Sequence, residues 1–146
     1  DDAHAKVKAS IANGTAAEKF GAMVYAMGGP VHFVEDWARF LPEAPVIREV
    51  TAATSGTVTA IDGEALGLTV VALGGGRQVE SDVVNPAVGL SDVVSVGDRV
   101  TKGQPLARVH AARESQADKA EQALRAAITL TDGPATSPPL VLEHIT

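Results

Sequence analysis

A chain of 146 residues, 45% hydrophobic and 21% charged, can build one sizeable core or two small ones and is too apolar for a disordered segment. Its net charge of −6, with no cluster of Lys or Arg, excludes a nucleic-acid surface, which needs grouped cations against phosphate. There is no cysteine for a disulfide framework or thiolate chemistry, and no apolar run approaches the roughly 18 residues of a membrane-spanning helix.

The chain starts at Asp1 rather than Met, as expected where the true N-terminus has been lost, and no basic-then-apolar leader follows. A cytoplasmic protein is the expectation. Ala3 to Ile11 suits a helix, with Val7 and Ile11 four apart, and Asn13-Gly14 closes it as a C-terminal cap. Asn13-Gly14-Thr15 also spells a glycosylation sequon, but without a secretion signal capping is the better use. Thr15 with Glu18 three residues on predicts a capping box for a second helix. Phe20, Met23, Val24 and Met27 give that helix an i, i+3, i+4, i+7 stripe before Gly28-Gly29-Pro30. A third helix is expected over Val31 to Leu41, with Phe33, Val34, Trp37, Phe40 and Leu41 at helical spacing and Glu35-Asp36 on its solvated face.

All the aromatic residues, Phe20, Tyr25, Phe33, Trp37 and Phe40, precede Pro42, and the rest of the chain relies on Val, Leu, Ile and Ala. Pro42-Glu43-Ala44-Pro45 sits at this change and favours extended chain, which places a boundary between a helical segment, 1–45, and a second domain, 46–146. Val46 to Ala53 and Thr57 to Ile61, separated by Thr54-Ser55-Gly56, read as a hairpin or a bent strand pair. Asp62 can cap a helix from Gly63 to Leu73, with Glu64 in its first turn and Leu66, Val70 and Leu73 on one face. Thr69-Val70-Val71 would suit a strand equally well. From Leu73 to Ala111, glycines and the turns Asn85-Pro86, Gly97-Asp98 and Lys102-Gly103-Gln104 punctuate Val- and Leu-rich segments too short for helices, which predicts a small β-module. A helix over Ser115 to Leu130 follows, with Ala120, Ala123, Leu124, Ala127 and Ile128 along one stripe. After it come a Pro-rich loop, Asp132 to Pro139, and a terminal strand, Leu140 to Ile145. The whole reads as α+β: a short helical segment, then a small β-module flanked by helices.

Candidates for chemistry are few. Gly74-Gly75-Gly76-Arg77 suggests an anion cradle, but phosphate loops precede a helix, whereas these glycines follow one and read as its C-cap and exit turn. Gly97 to Gly103 fails as a Walker loop because Lys102 precedes the glycine. Ser91, in Gly89-Leu90-Ser91-Asp92-Val93, lacks the second glycine of a nucleophile elbow and reads as a turn residue. His4, His32, His110 and His144 are dispersed and offer no metal set. No catalytic, cofactor-binding or metal-ligating residue is assigned, and no cofactor is expected.

Two resemblances stand beside this reading. Asp62-Gly63-Glu64-Ala65-Leu66-Gly67, Leu73 to Arg77, Asn85-Pro86-Ala87-Val88-Gly89-Leu90, Gly97-Asp98 and Leu106 to His110 occur in the order in which the C-terminal region of the thymidine and pyrimidine-nucleoside phosphorylase family carries similar motifs. Asn13 to Gly21, Met27 to Pro30, Phe33 to Asp36 and Phe40 to Pro42 resemble the segment just before it. This resemblance implies the end of a large α/β domain followed by a β-module of barrel-sandwich or hammerhead type. It also implies an upstream part of the same enzyme, thymidine and phosphate as the parent's substrates, and a homodimeric parent. The family's phosphate and base motifs have no counterpart here, so none of its site residues carries over. Val96 to Ala111 also resembles half of a biotinyl or lipoyl carrier domain, but Arg113 stands near where a carrier presents its acylated Lys, and a guanidinium is no acyl acceptor. A free-standing interaction or carrier-like module is therefore the alternative.

Overall fold

The computed structural model describes residues 2–135 together with 139, 141, 143 and 145. The chain divides into two compact units, Asp1–Pro42 and Glu43–Thr146.

The first unit holds helices α1 (Asp2–Ala12), α2 (Thr15–Ala26) and α3 (Trp37–Phe40), none of which has a buried residue. Gly14, at φ 86°, makes the left-handed turn between α1 and α2 that a residue with a Cβ adopts only under strain. The expected capping box does not form. Thr15 turns its hydroxyl to Asn13 Oδ1 at 2.9 Å, and Asn13 Oδ1 also accepts from the Thr15 amide at 3.0 Å, so asparagine supplies the cap. The long third helix is also corrected, because Val31 to Asp36 form turns and only Trp37–Phe40 is helical. Asp36, at φ −139° and ψ 43°, leaves the helical region, and the β-branched Val31 and Val34 gain no buried face to offset their lost rotamer freedom. Phe33 meets Phe20 edge-on at 6.1 Å between centroids and stacks with Phe40 at 6.4 Å. Beyond this cluster the stripe residues stay open: Met23 and Trp37 are more than half exposed, and Met27 is 80% exposed.

The second unit is α+β. Strands β1 (Val46–Thr51), β2 (Gly56–Ile61), β3 (Gly89–Ser91), β4 (Arg99–Val100), β5 (Pro105–Ala111) and β6 (Ile128–Thr131) form two three-stranded antiparallel sheets, ordered β1-β5-β3 and β4-β2-β6. β1 and β2 therefore do not make a hairpin. β1 pairs with β5 in the register Val46↔Ala111 to Val50↔Ala107, and β2 lies in the other sheet, between β4 and β6. Alternation explains the choice: Val50, Ala52 and Val58 all reach the same core, which requires the chain to cross from one sheet to the other at Thr54-Ser55. The crossing is held at both ends. Ala52 exchanges backbone hydrogen bonds with Gln104 and Gly103 at 2.8 and 2.9 Å, and Ser55 Oγ accepts from the Lys102 amide at 2.9 Å.

Helix α4 (Gly63–Val70) forms as its cap predicts, with Asp62 Oδ1 accepting from the Ala65 amide at 2.9 Å. It continues as one π-helical turn, Val71–Gly75, which ends at Gly74 with φ 98°. Leu73 is buried there, while Thr69 is buried with its hydroxyl donated to the Ala65 carbonyl at 2.8 Å. Helix α5 (Glu114–Ala127) stops earlier than its stripe suggests, since Ile128–Thr131 is strand β6. β2 offers a free edge at this point, and Ile128-Thr129-Leu130-Thr131 alternates suitably to fill it, with Ile128 opposite Ile61 and Leu130 opposite Val58. Val50, Val58, Val100, Val109 and Leu124 are the largest fully buried side chains, and they join both sheets and α5 in one core. Of the terminal strand expected over Leu140 to Ile145, only Val141, Glu143 and Ile145 are described, none of them in a strand; the rest lies outside the described residues.

Candidate functional site

The positions that sequence alone singles out are not assembled into a reactive centre among the described residues. Gly75 ends the π turn and Gly76 follows it, and a Cβ on Gly75 would sit 2.8 Å from Val70 and 3.2 Å from the Val88 carbonyl. Those glycines serve close packing at a helix exit, and Arg77 donates to the Asp82 carbonyl at 3.2 Å. Lys102 lies in a tight turn whose Gly103 has φ 86°. His4 lies in α1, His32 in the turns after α2, and His110 in β5; His144 lies outside the described residues. No group of three or more potential metal ligands occurs among the described residues.

Ser91 and His110 do meet, across β3 and β5, with Ser91 Oγ 2.9 Å from His110 Nε2. Nucleophilic catalysis would need a carboxylate on the far ring nitrogen to orient the base. Here Asp92 instead accepts from Ser91 Oγ itself at 3.2 Å, and its charge is taken up by Arg108 at 3.3 Å. Arg108 also bridges to Glu49 on β1 at 3.2 Å. The result is a polar ladder across one sheet face, an arrangement that orders three strands without activating the serine.

The opposite face of the same sheet packs on α5, and Arg48 on β1 grips that helix. Its guanidinium bonds Glu114, Asp118 at 2.6 Å and Glu121 at 3.4 Å, which are spaced i, i+4, i+7 on one side of α5. The hydrogen bonds that Arg48 donates to Asp118 and then to Glu114 hold its pKa above its ordinary value, so the charge is permanent. Arg125 extends the network to Glu121 at 3.0 Å and to the Thr51 carbonyl.

With its acids turned toward β1, α5 presents a different face to α4. Gln116, Lys119, Ala120 and Ala123 recur there at i, i+3, i+4, i+7, and Ala65, Leu68, Thr69 and Ala72 do the same along α4 and the π turn. Between these two faces lies a groove of about 680 Å³, lined also by Leu73, Arg113 and Ser115. Its size falls within the range of small-molecule pockets. Its lining is apolar apart from Thr69, Arg113, Ser115, Gln116 and Lys119. Nothing in the sequence marks these residues as a binding site: Ala120, Ala123 and Leu73 read there as packing stripes, and Arg113 only as a residue unlike a carrier's lysine. The periodicity of each helix was visible, but only the packing of α4 beside α5 turns two stripes into one cavity.

Arg113 has a structural place as well, as the N-cap residue of α5 immediately after β5. Carriers display their lysine at a hairpin tip, and here the chain enters a helix. No biotin or lipoate is expected to attach in cells containing the relevant ligases, and an intact-mass measurement checks this. An adduct of either mass would put the carrier reading first.

A family model described as the pyrimidine nucleoside phosphorylase C-terminal domain matches residues 57–131, more than half of the chain. The match runs from β2 through α4, the glycine turns, β3 to β5 and α5, and ends with β6. It thus spans both helices of the groove and five of the six strands, and by it the chain belongs to the family of pyrimidine nucleoside phosphorylase C-terminal domains.

Proposed function

We propose that this chain is the C-terminal portion of a thymidine phosphorylase-like pentosyltransferase and serves that enzyme as a scaffold. The family match across the β2–β6 region is the observation that carries this reading. In the proposed parent, phosphate attacks C1′ of thymidine, the bond to thymine breaks, and 2-deoxyribose 1-phosphate forms. Such a step depends on cations and hydrogen-bond donors aimed at the phosphate and at the charge growing on the leaving base. We assign those groups to an upstream part of the same enzyme. Gly74 to Gly76 are taken up in a helix exit, and among the described residues the Ser91–His110 pair has no orienting carboxylate, which supports a structural role. The parent is taken to be a cytoplasmic homodimer.

The test has two arms. The chain alone, incubated with thymidine and phosphate, should release no thymine above background. The complete coding region that contains it should yield an enzyme that does. Thymine release by the chain free of intact enzyme would overturn the scaffold role, and an inactive complete protein would overturn the parent activity.

A further inference from the structure

The groove between α4 and α5 has three features that its role in packing does not explain. First, its walls are apolar over most of their length, through Leu68, Ala72, Leu73, Ala120 and Ala123, and Leu68 at the lip is 61% exposed. Second, its charged residues, Arg113 and Lys119, both lie on the α5 side. The ion pairs among the described residues engage Lys6, Arg48, Arg108 and Arg125, leaving Arg113 and Lys119 unpaired beside the groove. The acids of α5 cannot neutralise them at close range, because Glu114, Asp118 and Glu121 are drawn to Arg48 on another side of the helix. Third, Gln116 donates a long hydrogen bond, 3.4 Å, to the Leu73 carbonyl, while its own side-chain oxygen is covered and has no partner. A buried acceptor without a donor is costly, and a swing of this amide into the groove would let it meet a donor there.

We propose that this groove binds a small amphipathic organic anion. Its apolar body lies against Leu68, Ala72, Leu73, Ala120 and Ala123; its acid group sits between Arg113 and Lys119; and an N–H or O–H next to the apolar body meets the Gln116 amide. The start of α5 favours the same sign of charge, since Arg113 makes no capping hydrogen bond with its side chain and the helix dipole is positive there. In a chain of net charge −6, a site for an anion must be local. This one is, because charge is segregated around a single helix.

The dye 8-anilinonaphthalene-1-sulfonate has all three parts: a fused-ring body, an N–H and an acid group. Titrated into the whole chain, it should give a saturable site whose occupancy shifts the amide resonances of α4 and α5. Lys119→Glu and Arg113→Glu, both at exposed positions, should each weaken that site about tenfold, equivalent to about 1.4 kcal/mol, with the far-UV spectrum unchanged. Ala123→Trp, which fills the groove, should abolish it. The neutral analogue N-phenyl-1-naphthylamine provides a check that needs no variant and should bind the wild-type groove at least about tenfold more weakly. Dye attracted only to the open apolar residues of α2 and α3 would leave the α4 and α5 resonances unmoved and ignore the charge reversals. That outcome, equal binding of the neutral analogue, or no binding at all would overturn the proposal.

Discussion

Truncating Leu124 to alanine is expected to destabilise the second unit by about 3 kcal/mol, within the 2–5 kcal/mol usual for a buried leucine. Leu124 is fully buried on α5, in the core shared with Val50, Val58, Val100 and Val109 from four different strands. The cavity left behind cannot collapse easily, because its walls are strand residues held in register by two separate sheets. A whole domain is stable by only about 5–15 kcal/mol, so the loss is a large fraction of the total. Denaturant unfolding followed by far-UV ellipticity should show the midpoint falling with little change in slope. Leu68→Ala is the matching control. Leu68 lies at an exposed groove lip, and its truncation should change stability by no more than about 0.5 kcal/mol. If Leu124→Ala proved as mild as Leu68→Ala, α5 would not be the centre of this core.

The second large effect concerns residues 2–42. None of α1, α2 or α3 contains a buried residue, and the unit's apolar contacts centre on the rings of Phe20, Phe33 and Phe40. Apolar burial is worth about 25 cal/mol per Å², so a few hundred Å² left open forgo several kcal/mol, enough to decide whether short helices persist. Amides of α1 and α2 should therefore exchange with solvent at least about a hundredfold faster than those of β5 and α5, a gap of about 2.7 kcal/mol in opening free energy. A partner surface that covers Met23, Met27 and Trp37, such as the proposed parent enzyme would supply, should restore the protection. Trp37 reports directly on this. It is 58% exposed, so its emission should already be that of a solvated indole in the native chain, rather than shifting from a buried to an exposed value on unfolding. Equal protection of α1, α2 and β5 in a strictly monomeric sample would show that this unit needs no covering surface.

Much of the architecture follows from local chemistry alone. Asn13-Gly14 and Gly28-Gly29-Pro30 bound α2 because a left-handed turn and a residue without an amide hydrogen stop helices wherever they occur. Asp62 starts α4 through a hydrogen bond to a residue three positions away, and that reach also decides between helix and strand for Thr69-Val70-Val71. Several of the ordered motifs from Asp62 to His110 likewise mark caps and turns, at Asp62-Gly63, Gly74 to Gly76, Asn85-Pro86 and Gly97-Asp98, whose geometry depends on nearby residues.

Other outcomes required the tertiary structure. Val46–Thr51 and Gly56–Ile61 are near neighbours in the chain and look like a hairpin, but pairing is set by which distant strand matches the buried alternation, and that strand is β5. Ile128–Thr131 extends the stripe of α5 by spacing, and only the open edge of β2 makes it a strand. Val31 to Leu41 has helical spacing throughout but a helix only over Trp37–Phe40, because periodicity stabilises a helix only when something buries its apolar face. The same holds for the groove. Lys119 and Arg113 read as ordinary surface cations until Arg48, about seventy residues earlier in the chain, draws the acids of α5 to another side and leaves them facing α4. Caps and glycine turns set locally where α2 and α4 begin or end. Which element faces meet depends on side chains far apart in the chain, whose contacts exist only once the fold has formed.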